Sequence, residues 1–147
     1  MGTKDADERL EALKEYAHNH GFNRLIGYTL EDVGDDWARA SVSHTDEFVN
    51  PPTENAMHGG VAASSIDATM GYAVISSLFT DSSRTAGPTI SLTINYVATA
   101  DEPLEVEASI ARMGKYVAFL EGTVRGQETD KIVATGQGVW LIFDNNA

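Results

Sequence analysis

Between Asp5 and His20 the apolar positions Leu10, Leu13 and Ala17 recur at helical spacing, with acidic and basic residues on the other faces. That pattern predicts an amphipathic helix. Asp5 is placed to cap it, Glu8 stands at capping-box distance, and Gly21 is placed to stop it. The runs 25–33 and 37–44 predict two strands, joined through Gly34-Asp35-Asp36 as a hairpin. The segment 46–55 carries Pro51-Pro52, and a helix does not run through such a pair.

The stretch 60–79 is different in character. It is rich in Ala, Ser, Val, Ile and Met and almost uncharged, which predicts a helix buried on most of its surface. Its small residues Ala62, Ala63, Ser64, Ser65, Ala68, Gly71 and Ala73 suit close packing against a sheet. Beyond it, Ile90, Leu92, Ile94 and Tyr96 alternate with Thr89, Ser91, Thr93 and Asn95, the period of a strand. Three more strands follow at 105–111, 116–125 and 131–143, with links short enough for antiparallel neighbours. The expected architecture is α+β: an antiparallel sheet of about six strands, one long helix inserted after the second strand, and an N-terminal helix. A single domain over 1–147, with its core at about 25–143, accommodates all of it.

Composition narrows the chemistry. There are no cysteines, so disulfides, thiolate catalysis and cysteine metal sites are excluded. Four scattered histidines offer no ligand spacing, and neither a metal nor another cofactor is expected. The net charge of −12, from 22 acidic and 10 basic residues, argues against nucleic acid or an anionic membrane surface as partner. The acidity is spread along the chain, consistent with a solvated surface or with a high-salt habitat where screening removes self-repulsion. The N-terminus lacks the apolar run of a signal peptide, and 61–80 is too polar for a membrane span, so a cytoplasmic location is the expectation.

Asp67 is the only charged residue between Val61 and Thr80. A carboxylate in a buried helix is costly unless it is hydrogen-bonded or faces a polar cavity. Nine residues earlier, His58-Gly59-Gly60 opens the same helix. Helix starts carry free backbone N–H groups and a partial positive charge, and glycines there let a ligand approach the backbone. Such a place suits a carbonyl oxygen that gains charge during acyl transfer.

The run Asn50…His58-Gly59-Gly60-Val61…Asp67 resembles the active-site segment of the hotdog-fold thioesterases, in particular the branch related to phenylacetate metabolism. The strand 88–96 resembles that family's next block, and Thr89 matches the Ser or Thr that assists the acid. Arg112-Met113-Gly114-Lys115 resembles a basic turn that meets coenzyme A phosphates. The loop Asn of the family matches Asn50, with two residues inserted, better than Asn55. The resemblance implies a hotdog fold and hydrolysis of an acyl-coenzyme A thioester, with coenzyme A part of the substrate. Asp67 would be general base or nucleophile, Gly59 the oxyanion donor with Asn50, and Gly60 a substrate contact. His58 would shape the loop, and Arg112 and Lys115 would hold phosphates. Dehydratase or hydratase activity, and non-catalytic acyl-coenzyme A binding, are the alternatives on the same fold.

Helix geometry adds a constraint. Gly60 and Asp67 are seven residues apart, about 10 Å along the axis at roughly 1.5 Å per residue. One carbonyl needs its donors and its base each within about 3 Å. A two-fold homodimer, with the glycines of one chain facing Asp67 of the other, is therefore expected. The family resemblance implies that such dimers pair into tetramers.

Overall fold

The structure, a computed structural model, describes residues 3–51 and 55–147. Pro52 of the predicted loop lies outside them. Helix α1 spans Thr3–Asn19, so Asp5 falls within its first turn and complements the positive helix end without capping it. Its buried stripe is Arg9, Leu13 and Ala17, four residues apart, with Leu10 packed at the margin. Arg9 was not expected inside. Its Nη1 donates to Asp35 Oδ1 (2.8 Å) and to the Ser76 carbonyl (3.4 Å), tying α1 to the first hairpin and to the end of the long helix.

Helix α1 ends at Asn19, close to the stop expected at Gly21, and His20 is extended (φ −75°, ψ 112°). A short α2, Gly21–Leu25, follows, and Gly27 is the stop, with a positive φ of 70° after Gly27 N–H closes on the Arg24 carbonyl. Strand β1 therefore begins at Tyr28 and not at Leu25. Strands β1 (Tyr28–Val33) and β2 (Trp37–Val42) form the expected hairpin. The second strand stops short of His44, whose Nε2 is engaged by the Asn55 carbonyl at 2.8 Å.

Helix α3 runs Gly59–Ser77, and then come β3 (Arg84–Tyr96), β4 (Leu104–Met113), β5 (Val117–Gly126) and β6 (Ile132–Asp144). The six strands form one antiparallel sheet in the order β1-β2-β4-β5-β6-β3. It wraps around α3, as a hotdog fold requires. Ile66, Met70 and Val74 of the helix are fully buried, together with Val106, Leu120 and Val124 of the sheet. Each such side chain contributes about 1.5–3 kcal/mol. Gly136 and Gly138 permit the close approach: a Cβ on either would lie 3.0 Å from Ile66 or 2.6 Å from Met70. No helix among the described residues is long and apolar enough to cross a membrane.

Strand β3 departs from the expected alternation. Its register against β6 shifts between Ala86 and Thr89 and again between Thr89 and Ser91. The two bulges flank Thr89 and rotate it inward, on the side of Leu92 and Ile94, while Ile90 is left 55% exposed. Strict period two had placed Thr89 and Leu92 on opposite faces. This strand is also one edge of the sheet, and Pro88 within it has no N–H to leave unpaired.

Candidate active site

At the start of α3, His58 has extended dihedrals (φ −53°, ψ 135°) and acts as the cap: its Nδ1 accepts from the Gly60 N–H at 2.8 Å. An accepting Nδ1 means a neutral ring with the proton on Nε2. His58 thus shapes the helix start, and its Nδ1 is not free to serve as a base. Val61 N–H closes on the His58 carbonyl at 3.0 Å. Gly59 N–H has no acceptor among the described residues and remains the open donor at the positive helix end. The approach to this turn is fixed by Met57 N–H on the Ala100 carbonyl (2.9 Å) and His58 N–H on the Phe48 carbonyl (2.7 Å).

Tyr96 completes the turn. Its hydroxyl donates to the Gly59 carbonyl at 2.9 Å, and its ring lies so close that a Cβ on Gly59 would sit 2.9 Å from it. The strand pattern marked Tyr96 only as apolar; its tie to Gly59 depends on a contact 37 residues away in sequence.

About two turns into α3, Asp67 is half-buried, and its Oδ1 accepts from the Thr89 hydroxyl at 2.7 Å. No basic side chain pairs with it among the described residues, and Oδ2 has no partner there. The carboxylate lines a cavity of about 340 Å³ together with Tyr16, Phe22, Asn23, Gly71 and Trp140. Trp140 pairs in register with Thr89 and packs against Gly71, where a Cβ would come within 2.4 Å of its ring. The small helix residues therefore make room for an indole as well as for the sheet. Tyr72, also on this wall, accepts from Asn23 Nδ2 at 2.8 Å, and burial pushes its pKa up. The arrangement can orient a carboxylate, leave one of its oxygens open, and hold an apolar group beside it.

The other expected residues are distributed unevenly. Asn50 sits in the loop ahead of α3, its N–H on the Ala56 carbonyl at 2.9 Å. Asn55 is committed to that loop: its side chain donates to the Asp101 carbonyl at 2.9 Å. Gly59 and Gly60 do not line the Asp67 cavity. Gly59 lies eight residues from Asp67, about 12 Å along the helix.

Arg112 and Lys115 are exposed near the β4–β5 turn and are also outside the cavity. Thr89, Trp140, Ala118 and Met113 form one row across four strands, so the turn stands about 14 Å from Thr89 at roughly 4.8 Å per strand. Lys115 Nζ lies 4.9 Å from the Tyr116 ring centroid, and this neighbour holds its pKa above the usual value. Among the described residues no group of three His, Asp or Glu is gathered as for a metal. Tyr16 and Trp140 as cavity walls went unseen in the sequence, because each reaches Asp67 only through tertiary packing.

Comparison with known proteins agrees with this fold. The chain is 31% identical to the esterase candidate VNG_1336C of Halobacterium salinarum over 147 residues, 95% of each protein. Among solved structures, the conserved protein PA5202 of Pseudomonas aeruginosa superposes with a TM-score of 0.76 at 29% identity, over 87% of this chain and 98% of the other. The Escherichia coli PaaI protein of the phenylacetic acid degradation operon superposes with a TM-score of 0.80 at 18% identity, over 94% and 95%, a likeness of fold. Residues 54–133, which carry the capped glycine turn, Asp67 and Thr89, match the sequence model of the thioesterase superfamily, and the chain belongs to that family.

Proposed function

We propose that this protein hydrolyses acyl-coenzyme A thioesters to a free acid and the thiol. The observation that carries the reading is the Thr89–Asp67 hydrogen bond at the wall of the cavity, which fixes Oδ1 and leaves Oδ2 open. Family membership and the esterase description of the Halobacterium relative support a hydrolase. In the general-base route, Oδ2 takes a proton from water as the oxygen bonds to the carbonyl carbon, and the C–S bond breaks with the proton passing to sulfur. In the nucleophilic route, Oδ2 bonds to that carbon as the C–S bond breaks and the thiolate leaves; water then opens the anhydride to the free acid and the Asp67 carboxylate, and its remaining proton passes to the thiolate. In both, Gly59 N–H stabilises the oxyanion, with Asn50 beside it.

The donor and the acid act from different subunits in this reading. The 13-residue β3 is an edge strand with Ile90 and Tyr96 more than half exposed, and a long uncovered edge invites pairing. Pairing β3 with its copy about a two-fold axis continues the sheet and covers that surface. Two such dimers back to back give the tetramer. Arg112 and Lys115 then serve the phosphates of coenzyme A, providing local positive charge on a chain whose net charge of −12 repels the ligand.

Thiol release from a panel of aliphatic and aromatic acyl-coenzyme A esters tests the activity. Turnover of at least one is expected; none turning over would remove the hydrolase reading. Lys115→Ala tests the phosphate contact separately. The variant is expected to raise KM several-fold at low salt and to flatten the dependence of KM on ionic strength, with kcat nearly unchanged. An unchanged KM takes Lys115 out of the site.

A further inference from the structure

Two hollows lie end to end along one face of α3. The first is the Asp67 cavity, about 340 Å³. The second, about 460 Å³, lies between α1, the carboxyl end of α3 and the start of β3, with Ala12, Leu13, Leu78, Phe79 and Arg84 in its walls. Tyr16, Ile75 and Ala86 line both. The side chain common to both that projects from α1 is Tyr16, 58% exposed and held by an edge-on contact with Tyr72 (centroids 6.4 Å apart, planes at 76°).

We propose that these hollows are one acyl channel partitioned by Tyr16, so that Tyr16 sets the length of the straight-chain acyl group this protein accepts. The inference rests on thioester hydrolysis at Asp67. With the carbonyl at Asp67, the acyl group must lie along the cavity that starts there. On α3, Asp67, Gly71 and Ile75 follow at four-residue spacing, so the wall continues on one face for about 12 Å, and Phe79 stands about 6 Å further. The walls of the far hollow are mostly alkyl and aromatic. Its charged member, Arg84, is paired with Asp81 (Nε to Oδ2, 2.7 Å), so the hollow suits an uncharged alkyl end.

The position of the partition is not accidental to the fold. Arg9 anchors α1 to Asp35 and to the Ser76 carbonyl, and Tyr16 is seven residues on, near the same helix face. The backbone at Tyr16 is therefore held, while its ring stays more than half exposed. A ring so placed blocks the channel at rest and can be removed without opening the core.

The test is kcat/KM across straight-chain acyl-coenzyme A esters of increasing length. Tyr16→Ala is expected to raise the long-to-short ratio by about tenfold or more, chiefly through KM, since apolar pockets discriminate by that order per added group. Adding Ala12→Phe to Tyr16→Ala refills the far hollow and is expected to return the optimum to the shorter chains. A Tyr16→Ala profile that matches the parent, or that falls equally at all lengths, overturns the channel. A parent that releases no thiol overturns the hydrolase reading instead. The channel is then decided by calorimetry of the same esters, where failure of Tyr16→Ala to tighten binding of the long ones refutes it.

Discussion

Asp67→Asn is expected to lower kcat by about 10²–10⁴-fold, the contribution of a positioned acid–base group, with KM changed little. Asparagine keeps the size of the side chain and an oxygen for the Thr89 hydroxyl, which donates to Oδ1 at 2.7 Å in the parent. The substitution therefore removes the proton acceptor, or the nucleophile, without emptying the site. The fold should survive, because Asp67 is half-buried and no ion pair joins it to another described residue. The thermal midpoint serves as the control. A folded variant as fast as the parent would falsify the assignment of Asp67 to the chemistry.

Co-expressing Gly59→Pro with Asp67→Asn is expected to restore activity that neither variant has alone. Gly59 is the first residue of α3, a position where proline is tolerated, and His58 ahead of it already has the extended conformation that proline demands. Proline there deletes the open N–H, and its Cβ, 2.9 Å from the exposed Tyr96 ring, is accommodated by a shift of that ring. If each site combines Gly59 of one subunit with Asp67 of the other, a mixed dimer holds one intact site and one doubly damaged site. Random mixing makes about half of the dimers mixed, so the sample should show about a quarter of parental activity. Sedimentation confirms that dimers formed. Dimers of mixed composition with no recovered activity would show that the donor and acid are not shared in this way.

Much of the fold was legible because each element declares itself locally. The run 60–79, charged only at Asp67, predicts a buried helix, and α3 spans Gly59–Ser77. Four strands after it, separated by short links, had to be antiparallel neighbours in part, and they are. The errors fell where a tertiary contact outweighs a local signal. Leu25 looks like the start of a strand, yet it ends the short α2, and Gly27 takes the left-handed turn before β1 begins at Tyr28. Arg9 looks like one more charge on a solvated helix, yet Asp35 and Ser76 draw it inside.

The sequence by itself singled out the residues proposed for the chemistry: His58-Gly59-Gly60 at a helix start and a lone carboxylate nine positions on are local facts of spacing and charge. What only tertiary structure decided is how they are aimed. Alternation along β3 turns Thr89 away from the face of Leu92, and two bulges against β6 turn it back to Asp67. The cavity beside that carboxylate is walled by Tyr16, Phe22 and Trp140, from three other elements. Periodicity specifies which face a residue takes within one element. Register between strands, and the packing of a helix 50 residues away, depend on the whole core, and no local pattern encodes them.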